Sequence, residues 1–320
     1  MTKREEIYDD FLGVTELFEH YSHYTEHSGD HKVELGFPIV DEVLRGLCDA
    51  ELMTLVMGTG EGKSVFGQNV GLRYAKTSDR LAVFLSLEMT SVNIAERTAQ
   101  IELGMTGYEV ERAFTNKDKE TIRKCFDLKD ILNNFITIVK RIEITDLPLY
   151  IREIEEFTGK KVGFLIVDYV ALFRNKEFMI NDFAKITDNM IKLKEYAKEF
   201  GVPVLNLSQT SRVNAKGELD IYSGFGSGEV EKSSDFLLTM EPLSDGMLQD
   251  IGISRGRCDD YELTERKRLL MLTIHKNRRG EKGRAVIVFD KRNLRMRQLE
   301  KGELVPQSQD IIQTDIWDEK

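Results

Sequence analysis

Residues 52–74 read LMTLVMGTGEGKSVFGQNVGLRY, and this stretch decides the fold. Its first six residues form a short apolar run of the kind that a strand buried on both faces presents. Gly58, Thr59, Gly60, Glu61 and Gly62 follow, letting the backbone turn so tightly that successive N–H groups point into one concavity. Lys63 and Ser64 then open a helix that runs on through Tyr74. Strand, glycine loop and helix in this order are the setting of a phosphate-binding loop. Lys63 is placed to reach the β- and γ-phosphates of a nucleotide, and the Ser64 hydroxyl to ligate magnesium. One residue departs from the strict pattern: Met57 stands where the first glycine is usual.

Outward from this loop the chain alternates strands and helices. Short apolar runs rich in β-branched residues lie at 81–87, 136–139, 162–167, 202–207, 236–240, 270–274 and 286–289. Between two of them Phe183, Ile186, Met190, Leu193 and Ala197 recur at helical spacing, and Gly201 sits where that helix should stop. Alternation of this kind predicts an α/β fold with a mostly parallel sheet flanked by helices, whose ligands gather at the carboxyl ends of the strands. Three residues stand at such ends. Asp168 closes a fully apolar strand, where its charge needs a partner such as the magnesium of a triphosphate. Glu88 follows the 81–87 run and is placed to orient or deprotonate an attacking water. Gln209 follows 202–207, where its amide can sense a γ-phosphate.

A chain of 320 residues with 41% hydrophobic content can bury a sizeable core, and no repeat or low-complexity tract divides it. No apolar run is long enough for a membrane span and no secretion signal is evident, so a cytoplasmic protein is expected, in the host cytoplasm if phage-encoded. Cys48, Cys125 and Cys258 lack metal or disulfide spacing. Residues 1–32 read as a short N-terminal helical arm whose Leu12, Leu17, Phe18 and Tyr21 form an apolar face suited to docking on a neighbouring subunit. His20, His23 and His27 share a face of it, without the companion ligands that would sharpen a metal reading. Residues 299–320 form an acidic tail. The net charge of −10 comes from residues 1–31 and 299–320, whereas residues 255–297 hold fourteen basic and six acidic side chains, a surplus suited either to phosphates or to ordinary ion pairs.

The segments FPIVDEVLRGL (37–47), MGTGEGKS (57–64), LSLEM (85–89), VDY (167–169), LSQ (207–209) and KNRRG (276–280) occur in this order. Together they resemble the motor domain of DnaB-type replicative helicases, over residues 33–298. The resemblance implies a RecA-like P-loop NTPase core that binds ATP or another NTP with Mg2+. Glu88 then matches the catalytic base, Asp168 the magnesium-side carboxylate and Gln209 the γ-phosphate sensor. Lys276 and Arg278 match a pair that enters the neighbouring subunit's site, Arg278 as an arginine finger. A homo-oligomer, a ring usually of six, with single-stranded DNA in its channel is therefore implied, with primase, a loader or other replisome proteins as further partners. Residues 211–228, long, polar and glycine-rich, match the second DNA loop in position. Phe225 and Gly226 replace the arginine and glutamate usual there while Gly228 is kept, so DNA contacts are expected from Arg212, Lys216, Phe225, Gly226 and Gly228. Residues 174–182 are the candidate first loop.

About 32 residues precede the motor in this sequence, fewer than the separate helical domain usual in this family needs, so a short phage-like form is expected. Two other readings share the fold: a RecA-like strand-exchange recombinase, and a clock-like or regulatory ATPase directed at protein. The LSLEM and KNRRG segments favour the helicase.

Overall fold

The computed structural model describes residues 12–174, 182–209, 227–300 and 302–304. It divides into two compact units, up to Lys32 and from Val33 onward. The first contains helix α1 (Val14–His31), which carries exposed Leu17, Phe18 and Tyr21.

In the second unit, α2 (Pro38–Leu44) precedes β1 (Leu52–Met57), all six of whose residues are buried. Its side chains alternate between two cores. Met53, Leu55 and Met57 join one, and Leu52 and Val56 the other. The elements that follow are α3 (Lys63–Thr77), β2 (Leu81–Ser86), α4 (Ser91–Leu103), α5 (Gly107–Thr115), α6 (Lys119–Ile131), β3 (Phe135–Ile138), α7 (Leu147–Thr158) and β4 (Val162–Asp168). After them come α8 (Asp182–Phe200), β5 (Val204–Gln209), α9 (Ser227–Ser233), β6 (Phe236–Pro242), α10 (Asp245–Asp250), α11 (Arg255–Glu265), β7 (Lys267–Asn277), β8 (Gly283–Asp290) and β9 (Arg295–Gln298).

The nine strands of the described residues form one sheet in the order β3-β2-β4-β5-β1-β6-β7-β8-β9. The first six are mutually parallel, and β7, β8 and β9 continue antiparallel. The expected α/β architecture is therefore present, and each of the eight runs read from the sequence overlaps a strand, with Leu87, Val139, Val202 and Pro203 falling just outside. The helix expected around residues 183–197 is α8, and it buries Ile186, Met190, Leu193 and Ala197. β9 has no counterpart in the sequence pattern. Its sequence, RMRQ, has one apolar residue, and it is the edge strand, where charged side chains reach solvent. The loop read through Gly228 ends earlier: α9 starts at Ser227.

Helix α3 sits unusually close to the sheet. A Cβ on Gly67 would lie 2.6 Å from Leu207 Cδ1, and one on Gly71 2.6 Å from Ile166 Cδ1. These two glycines let the helix that carries Lys63 rest directly on β4 and β5. Beyond the parallel half, α10 and α11 cover β7 and β8 through Met247, Leu248 and Cys258. There Glu303 accepts from the Tyr261 hydroxyl at 2.5 Å and from both terminal nitrogens of Arg297, tying residues 302–304 to that layer.

Two stability effects should follow. Gly67→Ala should cost about 1–3 kcal/mol by overpacking, read as a lower urea midpoint with an unchanged slope. The Arg297 guanidinium, with the Tyr261 hydroxyl, holds the Glu303 carboxyl down to about 2 from an ordinary 4.5. A depressed carboxyl stabilises the fold fully above its unfolded value and loses that contribution as pH falls through the folded one. Glu303→Gln should therefore cost on the order of 1–2 kcal/mol at neutral pH, discounted because Arg297 is partly exposed. Thermal melts of both proteins should converge as the pH approaches about 2.

Candidate nucleotide-binding site

The loop between β1 and α3 depends on two glycines in left-handed conformation, Gly60 at φ 76° and Gly62 at φ 101°. Gly62 has a second constraint, since a Cβ there would stand 2.9 Å from the Phe289 ring of β8. The first-turn amides of α3 have no acceptor within the helix, and with the positive end of the helix dipole they form an anion-binding cradle. Glu61 anchors the loop sideways: its Oε1 lies 3.3 Å from Arg268 Nη2 on β7.

Lys63 Nζ stands 2.7 Å from Asp168 Oδ1, both side chains nearly or wholly buried. The two are close but not aligned as a hydrogen bond. Lys63 also lies 4.1 Å from the centroid of the Tyr169 ring. Ser86 is the register partner of Asp168 across β2 and β4, and neither Ser86 Oγ nor Asp168 Oδ2 has a hydrogen-bond partner among the described residues. Buried oxygens in that condition are suited to a cation and its water ligands. Asp168, beside Ser86, thus carries carboxylate oxygens of the kind such an ion takes.

Gln209 ends β5 beside Met57 and donates from Nε2 to Thr59 Oγ1 at 2.7 Å, so it already touches the phosphate loop. Glu88 lies at the mouth of the site, two residues past β2. The backbone that presents it is fixed on both sides, because Leu87 N donates to Asp168 O at 2.9 Å and Leu87 O accepts from Arg141 Nε at 3.1 Å.

Arg97 is not among the residues that the sequence motifs single out. It is half-buried on α4 and reaches the Met89 sulfur at 2.9 Å. Burial lowers its pKa, opposed by the carboxylates of Asp168, Glu96 and Glu88. A signal exists: Ile94, Arg97 and Ile101 follow helical spacing, which puts a cation in an apolar stripe.

Lys276 and Arg278 lie elsewhere. Phe236 aligns with Met53 on one side and with Asn277 on the other, so the 278–282 turn sits at the amino ends of β1 and β6, whereas the phosphate loop sits at their carboxyl ends. A six-residue strand separates the two by about 20 Å. Arg279 pins this turn, donating to the carbonyls of Leu44 (2.6 Å) and Gly46 (2.8 Å) and to the Glu51 carboxylate (2.5 Å). Lys276 Nζ donates to Glu231 O at 2.5 Å, and burial, with Arg278 adding to it, pushes the Lys276 ammonium down. Of the residues expected at DNA, Arg212, Lys216, Phe225 and Gly226 lie outside the described residues, and Gly228 is exposed on α9. Of the candidate first loop only Arg174, whose backbone forms an isolated β-bridge with Glu143, and Asp182, which opens α8, are described. No group of metal-binding side chains and no helix long and apolar enough to cross a membrane occurs among the described residues.

The sequence matches the family described as DnaB-like helicase C-terminal domain over residues 32–298. This chain belongs to that family. Among curated relatives, the replicative DNA helicase DnaB of Pasteurella multocida is 26% identical over 270 residues, covering 82% of this chain and 54% of its own length. The DnaB of Geobacillus stearothermophilus is 24% identical over 270 residues, covering 81% and 55%. The chain thus spans about half the length of these DnaB proteins. Among solved structures, a DnaB-like replicative helicase superposes with a TM-score of 0.71 at 19% identity, over 91% of this chain and 68% of that one. A solved ATPase domain superposes with a TM-score of 0.73 at 18% identity, over 91% of this chain and 100% of that one. At such identity the likeness shows a shared fold, and it places this DnaB-like domain among RecA-like α/β structures.

The buried pair makes a specific expectation. Lys63→Met leaves the Asp168 carboxylate without its cation and should destabilise the nucleotide-free protein by about 3–5 kcal/mol. Adding Asp168→Asn should restore much of that loss. Equal urea midpoints for the single and double variants would show that the two charges do not depend on each other.

Proposed function

We propose that this protein is the motor of an ATP-dependent replicative DNA helicase, with each hydrolytic site shared between adjacent subunits of a ring. The observation that carries this reading is the position of Lys276 and Arg278. They match the family's phosphate-contacting pair, yet lie a full strand length from the loop of their own chain. Only another copy can bring them to a triphosphate.

In the proposed site Lys63 and the amides of residues 60–64 hold the phosphates of ATP or another NTP, and Ser64 and Asp168 hold Mg2+. The magnesium would neutralise charge on the phosphates and fix their oxygens for in-line attack. Glu88 orients the attacking water and takes its proton as the water oxygen bonds to the γ-phosphorus, while the bond from that phosphorus to the β–γ bridging oxygen breaks and the diphosphate leaves with the oxygen. Gln209 senses the γ-phosphate: once its amide turns to that oxygen it leaves Thr59, so occupancy at the loop is felt along β5. The next segment in sequence is 211–226, proposed with Gly228 to contact single-stranded DNA through Arg212, Lys216, Phe225 and Gly226. Lys276 and Arg278 from the neighbour stabilise charge that grows in the transition state, so their loss acts on turnover more than on affinity.

Ring formation needs surfaces that meet. Helices α4, α5 and α6 frame an open apolar groove of about 690 Å3, lined by Val92, Val110, Phe114, Phe126 and Leu132. The apolar face of a neighbour's α1 has the composition to cover it, and we assign that arm as its occupant. The solved DnaB-like replicative helicase was determined for its interactions with primase. Primase, with a loader and other replisome proteins, is a candidate partner here as well.

Hydrolysis by the purified protein should rise several-fold with single-stranded DNA. Arg278→Ala alone should lose about a thousandfold in turnover while still binding nucleotide, and Lys63→Ala alone should be inactive. Mixed, the two should regain activity, because sites between an intact loop and an intact finger form at their junctions. Hydrolysis indifferent to DNA would instead support a protein-directed ATPase. A DNA-dependent filament that pairs strands without unwinding them would support a recombinase.

A further inference from the structure

The arginine of the 278–282 turn is not loose in this chain. Arg278 Nη1 lies 3.0 Å from Asp235 Oδ1, and Arg278 N donates to Asp235 O at 3.2 Å. Asp235 itself is buried, with 5% of its side chain exposed, against 57% for Arg278. Its other oxygen accepts from Leu52 N at 2.7 Å and from Lys194 Nζ at 2.5 Å. Lys194 is fixed in turn by Ala50 O at 2.7 Å. One carboxylate therefore serves three donors: the first amide of β1, a lysine of α8 and the exposed end of Arg278. The first two hold it in place whether or not Arg278 is there.

Around it the cations outnumber the acids. Lys276 feels Arg278 and Lys194 as like charges and Glu231 and Asp235 as opposite ones, three cations to two acids. A guanidinium that is mostly in water, bound to a carboxylate that is shared and cannot move, is a partner that can leave.

We infer that Asp235 is the positioning residue of Arg278: it seats the arginine when no neighbouring triphosphate is present and competes with that phosphate for it. The inference rests on the shared-site reading above and adds what restrains the finger. Arg278 bound to Asp235 is withheld from the adjacent site, and each turnover begins by exchanging one anion for the other. Lys194 sets how firmly it is held, because every bond Asp235 gives to Lys194 weakens its grip on Arg278.

Two substitutions on the full chain then have opposite effects on hydrolysis without DNA. Asp235→Asn keeps an oxygen for Leu52 N but removes the charge, and the DNA-free rate should rise about two- to fivefold, the equilibrium weight of an ion pair whose guanidinium is mostly in water. Lys194→Met leaves Arg278 as the one cation bound to Asp235, beside the Leu52 amide, and the DNA-free rate should fall by a similar factor. Rates at saturating oligothymidylate should stay near the parent's in both, so the stimulation ratio shrinks in one and grows in the other. Lost packing cannot produce a rate increase, and damage from Lys194→Met would lower the stimulated rate too. If Asp235→Asn does not fold, the stimulation ratio of Lys194→Met decides alone. Unchanged ratios, or DNA-free rates that fall in both variants, would overturn the inference. The shared-site reading is judged separately, by the parent's response to DNA and by the complementation of Arg278→Ala with Lys63→Ala.

Discussion

Lys63 and Asp168 meet 2.7 Å apart in a place that water scarcely reaches, and neither charge would be stable there without the other. Much of the structure follows from bringing them together. Asp168 must stand at the tip of a strand buried on both faces, which requires helices on each side of β4. Lys63 must come off a helix that lies nearly against the sheet, which requires glycine at 67 and 71. The loop between must turn through left-handed conformations at Gly60 and Gly62, the second of which has no room for a side chain beside Phe289. In the proposed site the same contact would serve the chemistry, because a cation and an anion held at the carboxyl edge suit the two sides of a magnesium triphosphate.

The sheet offers chemistry at both ends. Its carboxyl edge collects the loop, Asp168, Glu88 and Gln209, as open parallel sheets generally do. Its amino edge carries the 278–282 turn, which exists only because β7 and β8 extend the sheet antiparallel past β6. Arg279 directs its donors to Leu44, Gly46 and Glu51, so the turn is fastened to the residues just before β1. A turn anchored this firmly presents its neighbour, Arg278, at a defined height on the subunit's surface. In the proposed ring the two edges are complementary halves of one site, their spacing set by β1.

What the sequence makes legible is what depends on local pattern. The phosphate loop announces itself because glycine, lysine and serine at fixed spacing have few other uses, and the buried strands because an apolar run of that length admits little else. Where tertiary context decides, the pattern is silent. β9 is a strand only because β8 offers an edge; four residues reading RMRQ carry no such preference. Asp235 looks like an ordinary polar residue before a strand, and its importance lies in Leu52, Lys194 and Arg278, all at least about forty residues away in sequence. Arg97 is visible in principle as a charge in an apolar stripe, but which carboxylates it faces depends on how α4 packs over the carboxyl edge.

Charge counting shows the same limit. The basic surplus of residues 255–297 suggests a surface open to phosphates, yet much of it is answered by acids from outside that window. Arg255 pairs with Asp245, Arg268 with Glu61, Arg279 with Glu51, Arg284 with Asp250 and Arg297 with Glu303. These pairs fasten the antiparallel layer to its surroundings and leave little of the surplus for a ligand. Arg278 pairs with an outside acid as well, but on different terms: its own end is in water and its partner is buried. Separation of an exposed guanidinium from a carboxylate that keeps its other donors costs little, whereas each of the other arginines would give up a contact that holds two elements together. The arginine that can be spared is thus set apart by the burial of its partner, which no window of sequence records.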